Sequence, residues 1–586
     1  MAAPGWLPGA RAVASYQASW ARRDVVAGIV LTTLLVPQGM AYAELAGLPA
    51  ITGLYTSILC LVGYAAFGPS RILVLGPDSS LGPMIAATIL PILGANGSPE
   101  RAIALASMLA LIVGAVMIAA GIAKLGFVAD LLSKPTQIGY MNGLALTILI
   151  GQLPKLLGFS TDANGLIAEA RAFVHGLTSG EAVGAAVAIG VFSLALILAL
   201  GRWLPRVPGV LVAVVVAIAA SAAFDLSSHG VSLVGTLPKG FPPLTVPDPI
   251  SDLPLLIAGA LGIALVALTD TISTASSFAA RTGQEVDGNG EMIGIGAANV
   301  AAGFFQGFPV STSGSRTAVA EQAGAKTQLS GVVGAALIVL MLVLTPGLLK
   351  NLPNPTLAAV VIAASISLAD VPGTVRLWHQ RRTEFLLSIT AFLGVALLGV
   401  LQGIAVAVAL SILNVFRRAW WPYQTTLGLV PGMRGQHDRL QYPDAQQLPG
   451  LVIFRFDAPL FFANARTFRD QIRRLANIEP RPVWILIAAE PITDVDTTAA
   501  DTLADLDAEL NAAGTSLVFA ELKGPVRAKL ERYQLIGPLS PDHFFPTLDA
   551  ALDAFRGQTG AEWTRVRVGS DAPDDAVDHP PAERHH

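Results

Sequence analysis

The fold is decided by FPVSTSGSR (308–316), which places four hydroxyl side chains and an arginine inside an otherwise apolar region. GPDSSLGPM (76–84) aligns with this stretch at an offset of 232 residues. The aligned residues are Pro77 with Pro309, Ser79 with Ser311, Ser80 with Thr312, and Gly82 with Gly314. AGIVLTTLLVPQG (27–39) also matches AGALGIALVALTD (258–270) at an offset of 231. Two matches at nearly one offset predict an internal repeat, with halves at about 24–225 and 251–418.

The composition indicates a lipid-embedded chain. Of its 586 residues, 53% are hydrophobic and 13% are charged, whereas a soluble domain carries about 25% charged residues. This balance leaves a membrane enzyme, a channel and a transporter open, and the net charge of -4 identifies no partner. The one cysteine, Cys60, lies in an apolar run and excludes an internal disulfide or a thiolate metal cluster. No cleaved signal peptide is evident, so we expect the first membrane helix to target the chain.

Apolar stretches long enough to span a bilayer recur from residue 25 to about residue 416, and we count roughly fourteen, several of them short or broken. The clear ones are 102–120, 185–200, 210–223, 329–344, 385–400 and 404–415. Arg11, Arg22 and Arg23 precede the first stretch, and Arg417 and Arg418 follow the last. The excess of positive charge at both ends predicts that both termini are cytoplasmic. We therefore assign residues 1–23 to a cytoplasmic segment and 24–418 to a transmembrane domain.

The sequence changes character after residue 418. Three short β-rich runs, LVIFRF (451–456), VWILIAA (483–489) and TSLVFAEL (515–522), alternate with helical patterns at 465–475 and 498–512. This alternation predicts a small cytoplasmic α/β domain at about 440–557. Residues 558–586, rich in Asp, Pro and Arg, are predicted to be a disordered tail.

The aligned polar stretches predict a binding site for an anion. A helix that begins within the membrane leaves its first backbone N–H groups unpaired and carries partial positive charge at that end. The residues 77–80 and 309–313 have the proline and hydroxyl pattern of helix starts, and two opposed starts would bind a small oxyanion. The alternative is that these hydroxyl groups only cap helices or fill close helix contacts.

Three charged residues lie close to these stretches. Asp270 follows an uncharged run and precedes Thr274 by one helical turn, which suits a Na⁺ site or a proton-binding carboxylate, or else a capping role at a helix break. Arg316 is a candidate for the anion site, for pairing with Asp270, or for an interfacial anchor. Asp78 is most simply an N-cap; if it faces the site, it must be protonated or paired during transport.

Longer stretches resemble the sulfate permease (SulP) family. AITGLYTSILCLVGYAAFGPSR (50–71) closely resembles the family signature, with Thr52 where an aromatic residue is usual. Further similarity covers VPQGMAYAELAGLP (36–49), KLGFVADLLSKPTQIGYMNGLAL (124–146) and residues 290–331. The C-terminal part resembles a STAS domain, in which TDVDTTAADTL (493–503) occupies the position of a regulatory loop. Thr497 and Thr498, after Asp496, are thus candidate phosphorylation sites.

The resemblance implies a polytopic α-helical membrane protein with fourteen segments in a seven-plus-seven inverted repeat, formed by a core and a gate domain. It implies an anion site made by Gln38, Tyr42, Asp78, Ser79, Ser80, Ser313, Gly314, Ser315 and Arg316. It assigns cation coupling to Asp270 and Thr274, as Na⁺ candidates, together with Ser311 and Thr312. The pattern of Asp270-Thr271-Ile272-Ser273-Thr274 resembles that of sodium-dependent bicarbonate transporters. Ser311 and Thr312 replace smaller residues of those transporters and would also suit sulfate or a dicarboxylate.

We therefore predict a secondary anion transporter that works by alternating access, as a symporter of bicarbonate or sulfate coupled to Na⁺ or H⁺. A proton-coupled dicarboxylate transporter, an anion exchanger, a channel-like protein and a STAS-mediated scaffold are the alternatives. No motif combines a nucleophile, a base and metal ligands, so we do not expect an enzyme or a cofactor other than the coupling ion. We expect a homodimer in the plasma (inner) membrane, with a small inorganic or organic anion and the lipid bilayer as partners and no nucleic acid.

Overall fold

The computed structural model describes residues 8–94, 97–127, 132–161, 163, 165–204, 207–245, 253–282, 286–535, 539 and 541–564. The chain divides into two compact units, one ending at Ile412 and the other beginning at Leu413. The first contains the apolar helices and the second contains a six-stranded sheet.

The first half of the membrane unit begins with a short helix and a 3₁₀ turn, Ala18–Trp20. Its elements are α1 (Pro8–Ala14), α2 (Ala21–Leu45), α3 (Ala50–Phe67), β1 (Leu75–Gly76), α4 (Gly82–Leu93), α5 (Pro99–Ile122), α6 (Lys134–Leu156), α7 (Leu166–Thr178), α8 (Gly184–Trp203) and α9 (Gly209–Phe224).

The second half repeats this order from α2 onward. Its elements are α10 (Leu253–Thr282), α11 (Gly288–Phe304), β2 (Ser311–Thr312), α12 (Gly314–Gln322), α13 (Leu329–Leu344), α14 (Asn354–Leu368), α15 (Val371–Gln380), α16 (Arg382–Leu393), a π-helical turn (Gly394–Leu398) and α17 (Val400–Trp420). The short helices α7 and α15 occupy equivalent places between longer ones. The internal repeat predicted from the two sequence offsets is thus visible in the order of the elements.

The surface of this unit is apolar, as a bilayer requires. Within the described ranges, seven helices are long and apolar enough to cross a membrane, and α4, α9 and α13 are shorter apolar helices. Large side chains such as Ile29, Phe192, Leu261 and Leu340 are about half exposed, which suits contact with lipid. The chain is a multi-pass membrane protein, as its composition predicted.

Both ends of the transmembrane domain differ slightly from the prediction. Because α2 begins at Ala21, Arg22 and Arg23 lie in its first turn rather than before it. Likewise α17 continues to Trp420, so its last turn includes Arg417 and Arg418. Long basic side chains allow this, since they reach polar surroundings from within the end of a helix.

Small residues allow the inner helices to pack closely. A Cβ atom on Gly53 of α3 would lie 1.9 Å from the carbonyl oxygen of Gly39 in α2. No other residue type fits at this crossing without moving one backbone. The close crossing holds α2, which carries two of the predicted anion-site residues, against α3.

The C-terminal unit is an α/β domain. Its elements are β3 (Gln424–Leu429), β4 (Gln436–Asp438), β5 (Leu451–Phe456), α18 (Ala465–Ala476), β6 (Trp484–Ala488), α19 (Thr497–Ala512), β7 (Ser516–Ala520), α20 (Gly524–Arg532), β8 (Phe544–Phe545) and α21 (Leu548–Thr559). The strand order is β4-β3-β5-β6-β7-β8, with parallel pairing from β5 to β8 and antiparallel pairing of β3 with its two neighbours.

The sheet carries an apolar core on each face. Phe454, Phe456 and Phe468 belong to one core, and Trp484 and Phe555 belong to the other. β3 and β4 precede residue 440, where we expected the domain to begin, yet both belong to the same sheet as β5. The domain also ends later than residue 557, where we expected its end. Thr564 exchanges two backbone hydrogen bonds of 2.9 Å with Gln447, so residues 560–564 belong to the domain. The rest of the predicted tail, 565–586, lies outside the described residues.

Candidate functional site

Two non-helical segments from the two repeats meet inside the membrane unit. β1 and β2 pair antiparallel, with Leu75 opposite Thr312 and Gly76 opposite Ser311. The Ser313 amide donates to the Val74 carbonyl at 3.0 Å and extends the pairing. Antiparallel pairing of equivalent segments is what inverted repeats produce, and each segment leads into a short helix.

The start of α12 offers free hydrogen-bond donors. Ser313 is its N-cap, and its hydroxyl oxygen accepts from the Arg316 amide at 3.5 Å and lies 3.2 Å from the Ser315 hydroxyl. Gly314 and Ser315 are exposed, and within the described chain their amides have no hydrogen-bond partner. These groups can bind an anion, as predicted for this helix start.

The start of α4 is different, and the expectation that Asp78 is its N-cap is wrong. α4 begins at Gly82, after Leu81, and Asp78 is not its N-cap. The Asp78 carboxylate instead accepts from the Ser80 amide at 3.0 Å and from the Ser80 hydroxyl at 2.8 Å, while its carbonyl takes the Gly82 amide. The next residue, Pro83, has no N–H to offer. At the start of α4, Asp78 therefore already holds two amides, those of Ser80 and Gly82, that an anion would otherwise take.

Arg316 is fully buried beside this helix start. Within the part of the chain that the structure describes, its Nε, Nη1 and Nη2 atoms make no hydrogen bond, and the nearest carboxylate oxygen is Asp78 Oδ2, 3.8 Å from Nη2. The guanidinium lies against Gly76, where an added Cβ would be 3.0 Å from Nη1. An interfacial anchor would extend to water, so that alternative is excluded. A buried guanidinium with unused donors is a strong site for an oxyanion.

Asp270 lies in the middle of α10, which runs without interruption, so it does not cap a helix break. Its Oδ2 atom accepts from the Ser80 hydroxyl at 3.1 Å. Thr274, one turn later, faces α12, because an added Cβ on Gly314 would be 3.8 Å from its hydroxyl. Among the described residues no three His, Cys, Asp or Glu side chains form a metal site, but carboxylate and hydroxyl oxygens here suit a single transported cation.

Ser311 and Thr312 contact α10 without contacting Asp270. The Thr312 hydroxyl donates to the Thr271 hydroxyl at 2.6 Å, and the Ser311 hydroxyl donates to the Ala267 carbonyl at 3.5 Å. Both hydroxyl groups thus attach β2 to the helix that carries Asp270. These hydrogen bonds hold β2 against α10. A role of the two residues in cation coupling stays a prediction.

α2 closes a further side of the site. Tyr42 is 5% exposed, and its hydroxyl interacts with the Ser79 side chain and with the charges of Asp78 and Arg316. Gln38, one turn earlier in α2, is half-buried, and its side chain makes no hydrogen bond to a described residue. The structure therefore brings Tyr42 of α2 together with the predicted residues that follow β1 and β2.

Sequence reasoning missed the residues that hold the non-helical segments. Asn299 of α11 clamps Val310: its Oδ1 accepts from the Val310 amide at 2.9 Å, and its Nδ2 donates to the Val310 carbonyl at 3.3 Å. Thr56 accepts from the Phe308 amide, and Thr317 accepts from the Val74 amide. The available signal was a buried asparagine in an apolar helix, since such a group needs partners.

The candidate regulatory loop lies at the start of α19. Asp496 caps this helix, accepting from the Ala499 amide at 2.8 Å, and also accepts from the Phe462 amide. Thr497 and Thr498 are exposed. Lys529 donates to Asp494 and holds the pKa of that carboxyl below its usual value. The loop is therefore accessible and has a cation beside it.

Two families match the chain: the sulfate permease family over residues 22–391 and the STAS domain over residues 442–551. A probable sulfate transporter of Mycobacterium tuberculosis is 42% identical over 558 residues, covering 95% of this chain and 99% of that protein. The solved structure of SLC26A9 has a TM-score of 0.86 at 22% identity, covering 95% of this chain and 93% of that one. The transmembrane domain of a cyanobacterial bicarbonate transporter, BicA, has a TM-score of 0.58 at 20% identity, covering 68% and 98%. The two solved structures share the fold.

Proposed function

Because the chain belongs to the sulfate permease family of anion transporters, we propose that it carries sulfate across the membrane by alternating access, as a symporter driven by a cation gradient. The observation that carries this proposal is the buried Arg316, whose three nitrogen atoms have no hydrogen-bond partner among the described residues. Leaving the buried donors of a guanidinium without hydrogen bonds costs several kcal/mol. A bound anion removes this cost.

The donors around Arg316 suit a tetrahedral dianion. The guanidinium, the amides of Gly314 and Ser315, and the hydroxyl of Ser313 or Ser315 belong to one helix start. Sulfate has four oxygen atoms and can accept from several of these donors at once. The name of the mycobacterial relative, a probable sulfate transporter, supports the same substrate.

The cation belongs to Asp270 and Thr274. Asp270 is an acidic residue in mid-helix whose carboxylate accepts a hydrogen bond from Ser80. Na⁺ or H⁺ bound there would neutralise its charge, and a cation close to the anion site would raise the affinity for a dianion. We also propose that the protein is a homodimer in the plasma membrane.

Bicarbonate is the second candidate substrate. The Asp270-Thr271-Ile272-Ser273-Thr274 pattern resembles that of sodium-dependent bicarbonate transporters, and the fold is shared with BicA. The donors at α12 do not by themselves exclude a monovalent anion. A competition experiment separates the two substrates.

Uptake of labelled sulfate into proteoliposomes tests the proposal. Sulfate should accumulate under an inward Na⁺ gradient or an inward proton gradient, and unlabelled sulfate should compete better than bicarbonate or fumarate. Accumulation without any cation gradient, driven by an internal anion, would indicate an exchanger. Uptake of none of the three anions under either gradient would refute transport altogether.

A further inference from the structure

The Ser80 hydroxyl lies between two carboxylates. Its oxygen is 2.8 Å from Asp78 Oδ1 and 3.1 Å from Asp270 Oδ2, both within hydrogen-bonding distance. A hydroxyl group has one hydrogen and can donate to only one of these acceptors at a time. The other carboxylate then faces the hydroxyl oxygen without a hydrogen, and the two contacts compete.

The two carboxylates belong to different sites. Asp270 is the candidate cation residue, whereas Asp78 Oδ2 lies 3.8 Å from Arg316 Nη2 and competes with a substrate anion for the guanidinium. No other Asp or Glu in the described chain lies within ion-pair distance of Arg316. The Ser80 hydroxyl therefore contacts both the residue that would hold the cation and the residue that restrains the anion donor.

We propose that Ser80 is the positioning residue that couples the two sites, an inference that rests on the cation-coupled transport proposed above. Without a cation, Asp270 takes the Ser80 hydrogen, and Asp78 is left to pair with Arg316, which disfavours the anion. With a cation at Asp270, the hydrogen turns to Asp78 and weakens its hold on Arg316. The cation thereby raises the affinity for the anion, and the anion raises the affinity for the cation by the same factor.

The surroundings allow this change without a movement of the backbone. The Ser80 amide donates to Asp78 Oδ1 at 3.0 Å and fixes the turn, so only the hydroxyl direction has to change. Ser80 is 1% exposed, so water does not readily replace its hydrogen bonds. Within the described ranges, Tyr42 of α2 and Tyr140 of α6 are the further titratable groups close enough to interact with these carboxylates.

Binding of labelled sulfate to the full-length protein in nanodiscs tests the proposal. The measured quantity is the sulfate Kd without Na⁺ divided by the Kd with saturating Na⁺. For protons, the corresponding ratio is the Kd at neutral pH divided by the Kd at acid pH. We expect the wild type to show a ratio of about tenfold with the coupling cation, and Ser80→Ala to bring it close to one. Ser80→Thr, which keeps a hydroxyl, should restore most of the ratio. Thr88→Ala is the matched control, because this α4 hydroxyl donates only to the Met84 carbonyl.

The outcomes separate the two proposals. If the wild type responds to a cation and Ser80→Ala keeps the full ratio, the role of Ser80 is refuted and cation coupling stands. If the wild type binds sulfate with no response to either cation, cation coupling and the role of Ser80 are both refuted. A loss of the ratio in Thr88→Ala as well would assign the effect to general damage of α4 and also overturn the role of Ser80.

Discussion

Asn299 holds Val310 by both of its backbone polar groups, with its Oδ1 2.9 Å from the amide nitrogen and its Nδ2 3.3 Å from the carbonyl oxygen. Asn299 is fully buried. Val310 directly precedes β2, so the clamp sets the position from which the chain enters Ser313 and α12. The anion donors thus depend on a residue of a neighbouring helix.

Asn299→Ala should weaken sulfate binding about tenfold, because two buried backbone groups lose their partner, at about 1–3 kcal/mol each, and the helix start shifts. Equilibrium binding in nanodiscs measures the change. Asn142→Ala is the control, because Asn142 clamps the Asp370 amide and carbonyl in the same way, away from the site. Equal losses of sulfate affinity in the two variants would contradict a specific role for Asn299.

Arg316→Ala should abolish measurable sulfate transport, and Arg316→Lys should lower sulfate affinity by about tenfold or more. Lysine keeps the charge but loses the planar fork of donors that fits two oxygen atoms. Initial rates in proteoliposomes across a range of sulfate concentrations separate affinity from maximal rate. Arg202→Ala, an exposed arginine at the end of α8, is the control. Wild-type transport by Arg316→Ala would rule out Arg316 as the anion donor.

Gly76→Ala should displace the guanidinium, since the new Cβ would lie 3.0 Å from Nη1 and 3.2 Å from Cζ of a side chain that is already fully buried. We expect sulfate affinity to fall about tenfold, since small displacements of donors at a site weaken binding strongly. Gly201→Ala is a matched control, because its added Cβ would meet no atom within 4 Å. Unchanged affinity in Gly76→Ala would show that the guanidinium position is not critical.

Asp270→Asn should remove coupling, because the neutral amide cannot bind a cation as the carboxylate does. Sulfate accumulation driven by the cation gradient should fall to about the level of equilibration, a ratio near one. The ratio of internal to external labelled sulfate at steady state is the measurement. Asp225→Asn, an exposed residue at the end of α9, should accumulate sulfate normally. Gradient-driven accumulation by Asp270→Asn would remove Asp270 from the mechanism.

Asp507→Asn should stabilise the STAS domain at neutral pH. Burial raises the pKa of the Asp507 carboxyl, and no described residue donates a hydrogen bond to its Oδ1 atom. A carboxyl whose pKa is higher in the folded state favours folding below its unfolded pKa and loses this contribution as the pH rises through the folded value. The variant should therefore be more stable by about 1 kcal/mol at neutral pH and show no gain at acid pH.

Hydrogen exchange of the α19 amides in the full-length protein measures the effect of Asp507→Asn. Asp505→Asn, an exposed residue of the same helix, should change exchange little at either pH. A gain for Asp507→Asn that is the same at acid and neutral pH would contradict the assigned titration.

The membrane class, the internal repeat and the family were all predicted from sequence and are confirmed. Each depends on a pattern that is visible in the linear sequence: the length of apolar stretches, a fixed offset between polar interruptions, and long stretches that match the family. β3 and β4 were not predicted, because their sequences carry no strong strand pattern. β3 is stabilised by pairing with β5, and β4 is stabilised by pairing with β3.

By itself the sequence determined which residues interrupt the apolar helices, since a polar group in lipid is costly wherever it stands. Only the tertiary structure decided what each of them does. GPDSSLGPM (76–84) and FPVSTSGSR (308–316) align as repeats, yet Asp78 accepts from Ser80 in the first stretch while Ser313 caps α12 in the second. Ser80 contacts Asp270 across 190 positions of the chain, and Asn299 reaches Val310 from another helix. Those roles depend on distances between atoms that the pairing of β1 with β2 brings together, and no local pattern encodes them.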